Sequence, residues 1–135
     1  MEQLFGRETW SLILPDGWQG WHDPECATIV ANPEIGALQV SAAFKDSEVS
    51  EADLREFAAE HLDAGATPRL VQCGDLVGFT IAFGTEDAFW REWYLRNGGQ
   101  ALFVTYNCSP GDRGVEDAAV DKILATLSVS GLQVV

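Results

Sequence analysis

Nucleophilic catalysis needs a base beside the nucleophile, and this chain carries only two histidines, His22 and His61. His22 lies in "GWHDPEC", next to Asp23 and close to Cys26. Such a group could activate a thiol or supply part of a metal shell. A zinc site takes three or four ligands in a recognisable spacing, and only two are local here. His61 falls beside the apolar face of a helical segment, where a structural or surface role fits better. The acids Glu48, Glu51, Asp53, Glu56, Glu60 and Asp63 crowd the same segment. Paired carboxylates can do acid–base work, but acids repeated along a helix usually form its solvated face. No D-x-D-x-D-G calcium loop, G-x-G-x-x-G or P-loop occurs. The residues point away from catalysis, and neither a cofactor nor a metal is expected.

Aromatic residues are better candidates for recognition. Trp21 follows a turn and reads as a loop residue. An exposed Trp is a plausible anchor, because Trp is enriched among the residues that dominate interface energetics; the competing reading folds it back over its own loop. The stretch "FWREWYLRNGGQALFVTYNC" (89–108) reads as a hairpin. One face carries Phe89, Arg91, Trp93 and Leu95. The other carries Trp90, Glu92, Tyr94 and Arg96, opposite Phe103, Thr105 and Asn107. Mixed aromatic and polar faces are typical of protein-binding surfaces, so Trp21, Trp90, Glu92 and Tyr94 are the candidate partner-binding residues. A Glu92–Arg96 ladder beside a helix-covered core is the preferred competing reading of that face. A rival class, a small-ligand carrier or enzyme, would use a cleft lined by Trp21, His22 and Arg91.

Charge narrows the partners. The chain has 21 acids against 8 Lys plus Arg, a net −13. Such a surface repels phosphate backbones and anionic membranes. A basic protein or a cationic ligand is favoured, although acidity alone also keeps a protein soluble. The opening "MEQLFGRETWSL" has neither a basic n-region nor a long apolar run, so no secretory leader or membrane span is expected. A cytosolic location follows, in which Cys26, Cys73 and Cys108 are expected as free thiols.

The elements that position these residues form one domain over 1–135. "SLILP" (11–15), "CATIVA" (26–31) and "GALQVSAAF" (36–44) read as strands, and "PDGW" as a turn. Ser50 starts a helix with a capping box to Asp53, and Val49 with Leu54 suits a hydrophobic staple. Leu54, Phe57, Ala58 and His61–Leu62 share one helical face, and Gly65 with Pro68 ends the helix. "RLVQC" turns at Gly74-Asp75 into "LVGFTIAF". There Val77, Phe79, Ile81 and Phe83 line one face and Gly78, Thr80 and Ala82 leave the other small. Gly98-Gly99 suits a two-residue primed turn, which would pair Leu95 with Leu102, Trp93 with Val104 and Tyr94 with Phe103. At least one of the two glycines should then have positive φ. A last helix is expected over about 115–127, with Glu116 and Asp117 near its positive end. The order is βββ-α-ββββ-α, an α+β fold with an antiparallel sheet of about six or seven strands flanked by two helices.

With those elements in place, "WSLILPDGW" resembles the opening of Mog1/PsbP-like domains, where a strand ends in a P-x-G-W turn. "WREWYLRNGGQALFVTYNC", followed by an acidic amphipathic helix, is similar to the small bacterial members of that superfamily. The resemblance implies an α/β/α sandwich and a non-enzymatic scaffold that binds proteins. A eukaryotic member binds a small GTPase and a plant member binds the photosystem II periphery, but no residues here match either role. The expectation is a protein-binding module, such as an acidic immunity or adaptor protein meeting a basic partner.

Overall fold

The computed structural model describes residues 1–130. Nine strands occur among them, in two sheets. β1 (Gln3–Arg7) and β2 (Trp10–Leu14) form a separate hairpin, in register from Gln3↔Leu14 to Arg7↔Trp10. The main sheet contains β3 (Trp18–His22), β4 (Ala27–Ala31), β5 (Ala37–Phe44), β6 (Arg69–Cys73), β7 (Leu76–Gly84), β8 (Phe89–Asn97) and β9 (Gln100–Cys108). Its order is β3-β4-β5-β9-β8-β7-β6, and every pairing is antiparallel.

The strand expected at 11–15 therefore leaves the main sheet, and β3 takes a place in it. A lone hairpin is marginal in water, and this one is held by burial. Phe5, Trp10, Leu12 and Leu14 press onto the first face of the main sheet, against Ile29, Leu38, Val40, Val104 and Tyr106. Ser11 and Ser128 exchange both backbone hydrogen bonds, which ties β2 to the chain after the last helix.

That last helix, α3 (Asp117–Leu124), covers the same face with Val120, Ile123 and Leu124. It lies within the range expected from periodicity. Glu116 caps no backbone N–H with its side chain. Instead it is 5% exposed and its Oε1 accepts two buried donors, the Tyr106 hydroxyl at 2.8 Å and the Gly36 N–H at 3.0 Å. A carboxylate placed by sequence reasoning at a helix dipole is the polar pin of the core.

The second face is covered by α1 (Glu51–Phe57) and α2 (Ala59–Asp63). The capping box is present in full. Asp53 N–H donates to Ser50 Oγ, Ser50 N–H donates to Asp53 Oδ2, and Lys45 Nζ reaches the same oxygen at 2.8 Å. Val49 and Leu54 are both buried with Ala58, Phe79, Ile81, Tyr94 and Ala101. Fully burying a leucine such as Leu54 stabilises by about 1.5–3 kcal/mol.

The one helix expected here is two, broken at Ala58 (φ −93°, ψ 5°). Phe57, just before the break, is 59% exposed and meets Phe103 edge-on at 4.8 Å. No Gly or Pro marks this break in the sequence.

The hairpin register holds as read. Leu95 faces Leu102, Trp93 faces Val104 and Tyr94 faces Phe103. Gly98 has φ +57° and Gly99 does not have positive φ, the pattern of a type II′ turn.

Candidate functional site

Trp21 and His22 lie on β3, not in a loop as expected, opposite Thr28 and Ala27 of β4. Successive residues of a strand point to opposite faces, so the two side chains separate. Trp21 is 44% exposed on the second face, at the sheet's outer edge. His22 stacks on Phe5 at 4.7 Å on the first face. Desolvation there, and next the charge of Arg7, hold its pKa below the usual 6.5.

Arg91 is elsewhere. Its guanidinium lies 4.6 Å from the Trp93 ring and bonds Asp117 at 3.3 Å and Asp121 at 2.8 Å, which clamps α3 to β8. The cleft expected from Trp21, His22 and Arg91 together is not assembled. Three strands, β4, β5 and β9, lie between β3, which carries Trp21 and His22, and β8, which carries Arg91.

The Trp90/Glu92/Tyr94 face is covered by the helices at two of its three positions. Tyr94 is 8% exposed and stacks on Phe79 at 5.2 Å. Its hydroxyl donates to Glu92 Oε1 at 2.7 Å, and His61 Nε2 of α2 lies 3.3 Å from the same oxygen. Burial and that carboxylate raise the phenol pKa well above its usual value. Glu92 is thus committed to Tyr94 and His61, not to Arg96, and the two residues drop out as contact candidates. Trp90 remains half-buried, stacked on Phe83, which also carries the His61 ring at 4.5 Å. This His61–Glu92–Tyr94 group docks a helix.

All three cysteines are free thiols. Burial pushes Cys73 up to about 11 and also raises Cys108. Among the described residues no three His, Cys, Asp or Glu side chains converge closely enough to hold a metal ion. No described helix is long and apolar enough to cross a membrane.

Sequence reasoning missed the surface around the end of β5. There Phe44 is 65% exposed. On the first face a cleft of about 720 Å³ runs between the β1–β2 turn, the β3–β4 loop and β5. Trp10, His22, Val40, Ala42 and Phe44 contribute to its walls, with Glu8 and Glu25 at its margins. On the second face a depression of about 200 Å³ lies between Ala43, Phe44, Val49 and Phe57, beside Asp53 and Glu56. Phe44 contributes to both. The signal was present in the run lengths, since "GALQVSAAF" outlasts its neighbour "CATIVA".

The layers define a class: an antiparallel sheet with helices on both faces and an accessory hairpin under one of them. No protein-family model matches the chain, and no curated protein matches it. Solved structures do. The chain is similar to cyanobacterial PsbP (CyanoP) from Synechocystis sp. PCC 6803, with TM-score 0.64 and 14% identity over 95% of this chain and 92% of that one. It is similar to LpqN of Mycobacterium tuberculosis, a protein involved in cell envelope biogenesis, with TM-score 0.65 and 14% identity over 95% and 90%. A Bacteroides thetaiotaomicron VPI-5482 protein aligns with 89% of this chain at TM-score 0.63 and 17% identity, and the chain spans 44% of that protein's length. What is shared at these identities is the fold, the PsbP/Mog1-like α+β sandwich.

Proposed function

We propose that this chain is a non-enzymatic protein-binding module, cytosolic and bacterial, whose acidic surface meets a basic partner protein. An immunity or adaptor protein facing a basic toxin is one concrete form. The observation that carries the reading is uncompensated charge. Of 8 Lys and Arg, four are turned onto the chain itself. Arg7 binds the carbonyls of Asp23 and Cys26, Lys45 binds Asp53, Arg55 pairs with Glu51, and Arg91 holds Asp117 and Asp121. Most of the 21 acids are exposed and make no ion pair among the described residues, and such a field steers oppositely charged partners and raises their association rate. The exposed Trp21 is the aromatic anchor retained from the sequence, and the half-buried Trp90 is the second.

The cleft beside His22 supports a second reading, a small-ligand carrier or enzyme, because its volume falls in the range of ligand pockets. One experiment separates the two. Partners are captured from the native host at low salt, and association rates are measured from about 0.05 to 0.5 M ionic strength. The binder reading expects a basic protein whose association rate falls steeply with salt. A small molecule held in the cleft against His22, with salt-independent affinity, would overturn it.

A further inference from the structure

β5 is longer than the strand that covers its outer side. β9 pairs with all of Ala37–Phe44, whereas β4 pairs only with Leu38, Gln39 and Val40. Among the described residues, Ser41–Phe44 therefore has a partner on one side alone. The direction of its free backbone groups follows from the ladder. Lys45 N–H donates to Gly99 C=O at 2.8 Å, so Lys45 faces β9. Alternate residues of a central strand aim at alternate neighbours. Ala43 and Ser41 thus also face β9, and the N–H and C=O of Ala42 and Phe44 point out of the sheet. The chain that could have covered them turns away at Cys26. Arg7 holds that loop to β1 through the carbonyls of Asp23 and Cys26, at 2.6 and 3.2 Å.

An unpaired edge flanked by apolar hollows is the arrangement that accepts an added strand. Here both faces supply a hollow, the 720 Å³ cleft and the 200 Å³ depression, with exposed Phe44 between them. The charge around them is mainly negative, although Arg7 lines the first hollow and Lys45 the second. Glu8, Glu25 and Glu56 flank the hollows and make no ion pair among the described residues, while the nearby cations Arg7 and Lys45 are already engaged. The terminal strand β6 differs: Arg69 lies on it, and Arg96 lines the groove beside it together with Glu51.

We propose that Ser41–Phe44 is a docking edge for an extended, basic segment of the partner protein. The segment adds as a strand beside β5, in line with β4. Its outward N–H and C=O partners are those of Ala42 and Phe44. Its apolar side chains alternate into the cleft, and its cations, on the opposite face, meet Glu56, while Glu8 and Glu25 at the margins of the cleft add to the attraction. This rests on the acidic-binder reading and gives it a place on the fold. A second copy of the chain is disfavoured as the occupant because both copies carry −13.

The test uses a synthetic nine-residue peptide of alternating lysine and valine, labelled with fluorescein, and measures anisotropy with the full chain. Three comparisons follow: the same peptide with alternate backbone nitrogens methylated, the peptide with glutamate for lysine, and the chain variants Ala42→Pro and Phe44→Ser. Ala42→Pro removes an N–H that β9 does not use, and Phe44→Ser leaves the backbone intact should the proline variant fold poorly. Binding of the lysine peptide, weakened at least tenfold by methylation and by either variant, with protection of the Ala42 and Phe44 amides from exchange, is the expected result. Binding that salt abolishes but methylation and both variants leave unchanged would overturn strand addition while leaving the acidic-binder reading intact. Preference for the glutamate peptide would overturn both. No binding of the lysine peptide, or a dimer that Phe44→Ser dissolves, would overturn the docking edge for a basic segment.

Discussion

Glu116→Ala should be the most damaging single substitution outside the apolar core. The carboxylate is 5% exposed, and one oxygen accepts both Tyr106 O–H and Gly36 N–H. Removing it orphans two donors that water cannot readily reach. Each orphan costs about 1–3 kcal/mol. With some loss of packing by the acid's stem, a total of about 3–5 kcal/mol is expected, in line with breaking one side of a buried charged group. That is a large share of the roughly 5–15 kcal/mol that holds a domain together. Glu116→Gln keeps an oxygen acceptor in place and should cost only about 1 kcal/mol, the loss of charge assistance. Tyr106→Phe removes one donor and should cost about 1–2 kcal/mol. In the Glu116→Ala/Tyr106→Phe double variant the orphaned hydroxyl no longer exists, so the combined cost should be less than the sum. Urea unfolding followed by tryptophan fluorescence measures all four, with unchanged slopes confirming that the folded state is comparable. A Glu116→Ala cost below about 1 kcal/mol, or equal costs for Ala and Gln, would refute the pin.

Ser50→Ala should cost about 1 kcal/mol through loss of the cap on α1, read as a shift in urea midpoint; no shift would mean that Lys45 and Asp53 hold the helix start without it. Native thiol titration should label Cys26 first, since Cys73 and Cys108 are buried with raised pKa values, and denaturant should reveal three free groups; fewer than three would mean a disulfide. Stability should fall in two acid steps. His22 has a folded pKa below 6.5, so the unfolded chain binds the proton first and stability declines as pH drops through the unfolded value, ending once the folded imidazole protonates. The step is shallow because His22 is exposed, and His22→Phe should remove it. Asp53, pushed down to about 2 from 3.8 by Lys45 and then by Ser50 N–H, contributes stability above 3.8 that is lost as pH falls toward 2. Asp53→Asn should flatten that lower step, and an unaltered profile would refute the assignment.

Local rules recovered the parts of the fold that local chemistry decides. The Ser50–Asp53 box, the Gly98-Gly99 register and the β6–β9 meander depend on neighbours within a few residues or across one turn, and each was legible. β1 and β3 were not. "QLFGR" and "WQGWH" mix charges, glycines and aromatics without a clean alternation, because each lies at a sheet's margin with only part of its surface buried. The break at Ala58 leaves no breaker residue behind. Site residues suffered from the same limit. Alternation put Glu92 and Tyr94 on one face, but whether a helix covers that face is a tertiary fact. Trp21, His22 and Arg91 looked combinable until strand order placed β4, β5 and β9 between them. The β5 edge depends on a length mismatch between two strands, which is visible in the sequence only once their pairing is known.

The position of β5 beside β9 also has a consequence for how the chain comes into being. Their paired residues are separated by 56 positions at Phe44↔Gln100 and by 70 at Ala37↔Asn107. At a synthesis rate of about 5–20 residues per second, β5 waits on the order of 3–14 s for its partner. For that interval the side of β5 that faces β9 is bare along its whole length, and β4 covers only Leu38, Gln39 and Val40 on the other side. β6 to β9, joined by tight turns, have no such wait. Nascent chains halted before β9, for example at residue 99, should therefore engage chaperones or aggregate, while chains extended past Cys108 escape; equal solubility on both sides of that boundary would count against this order of assembly.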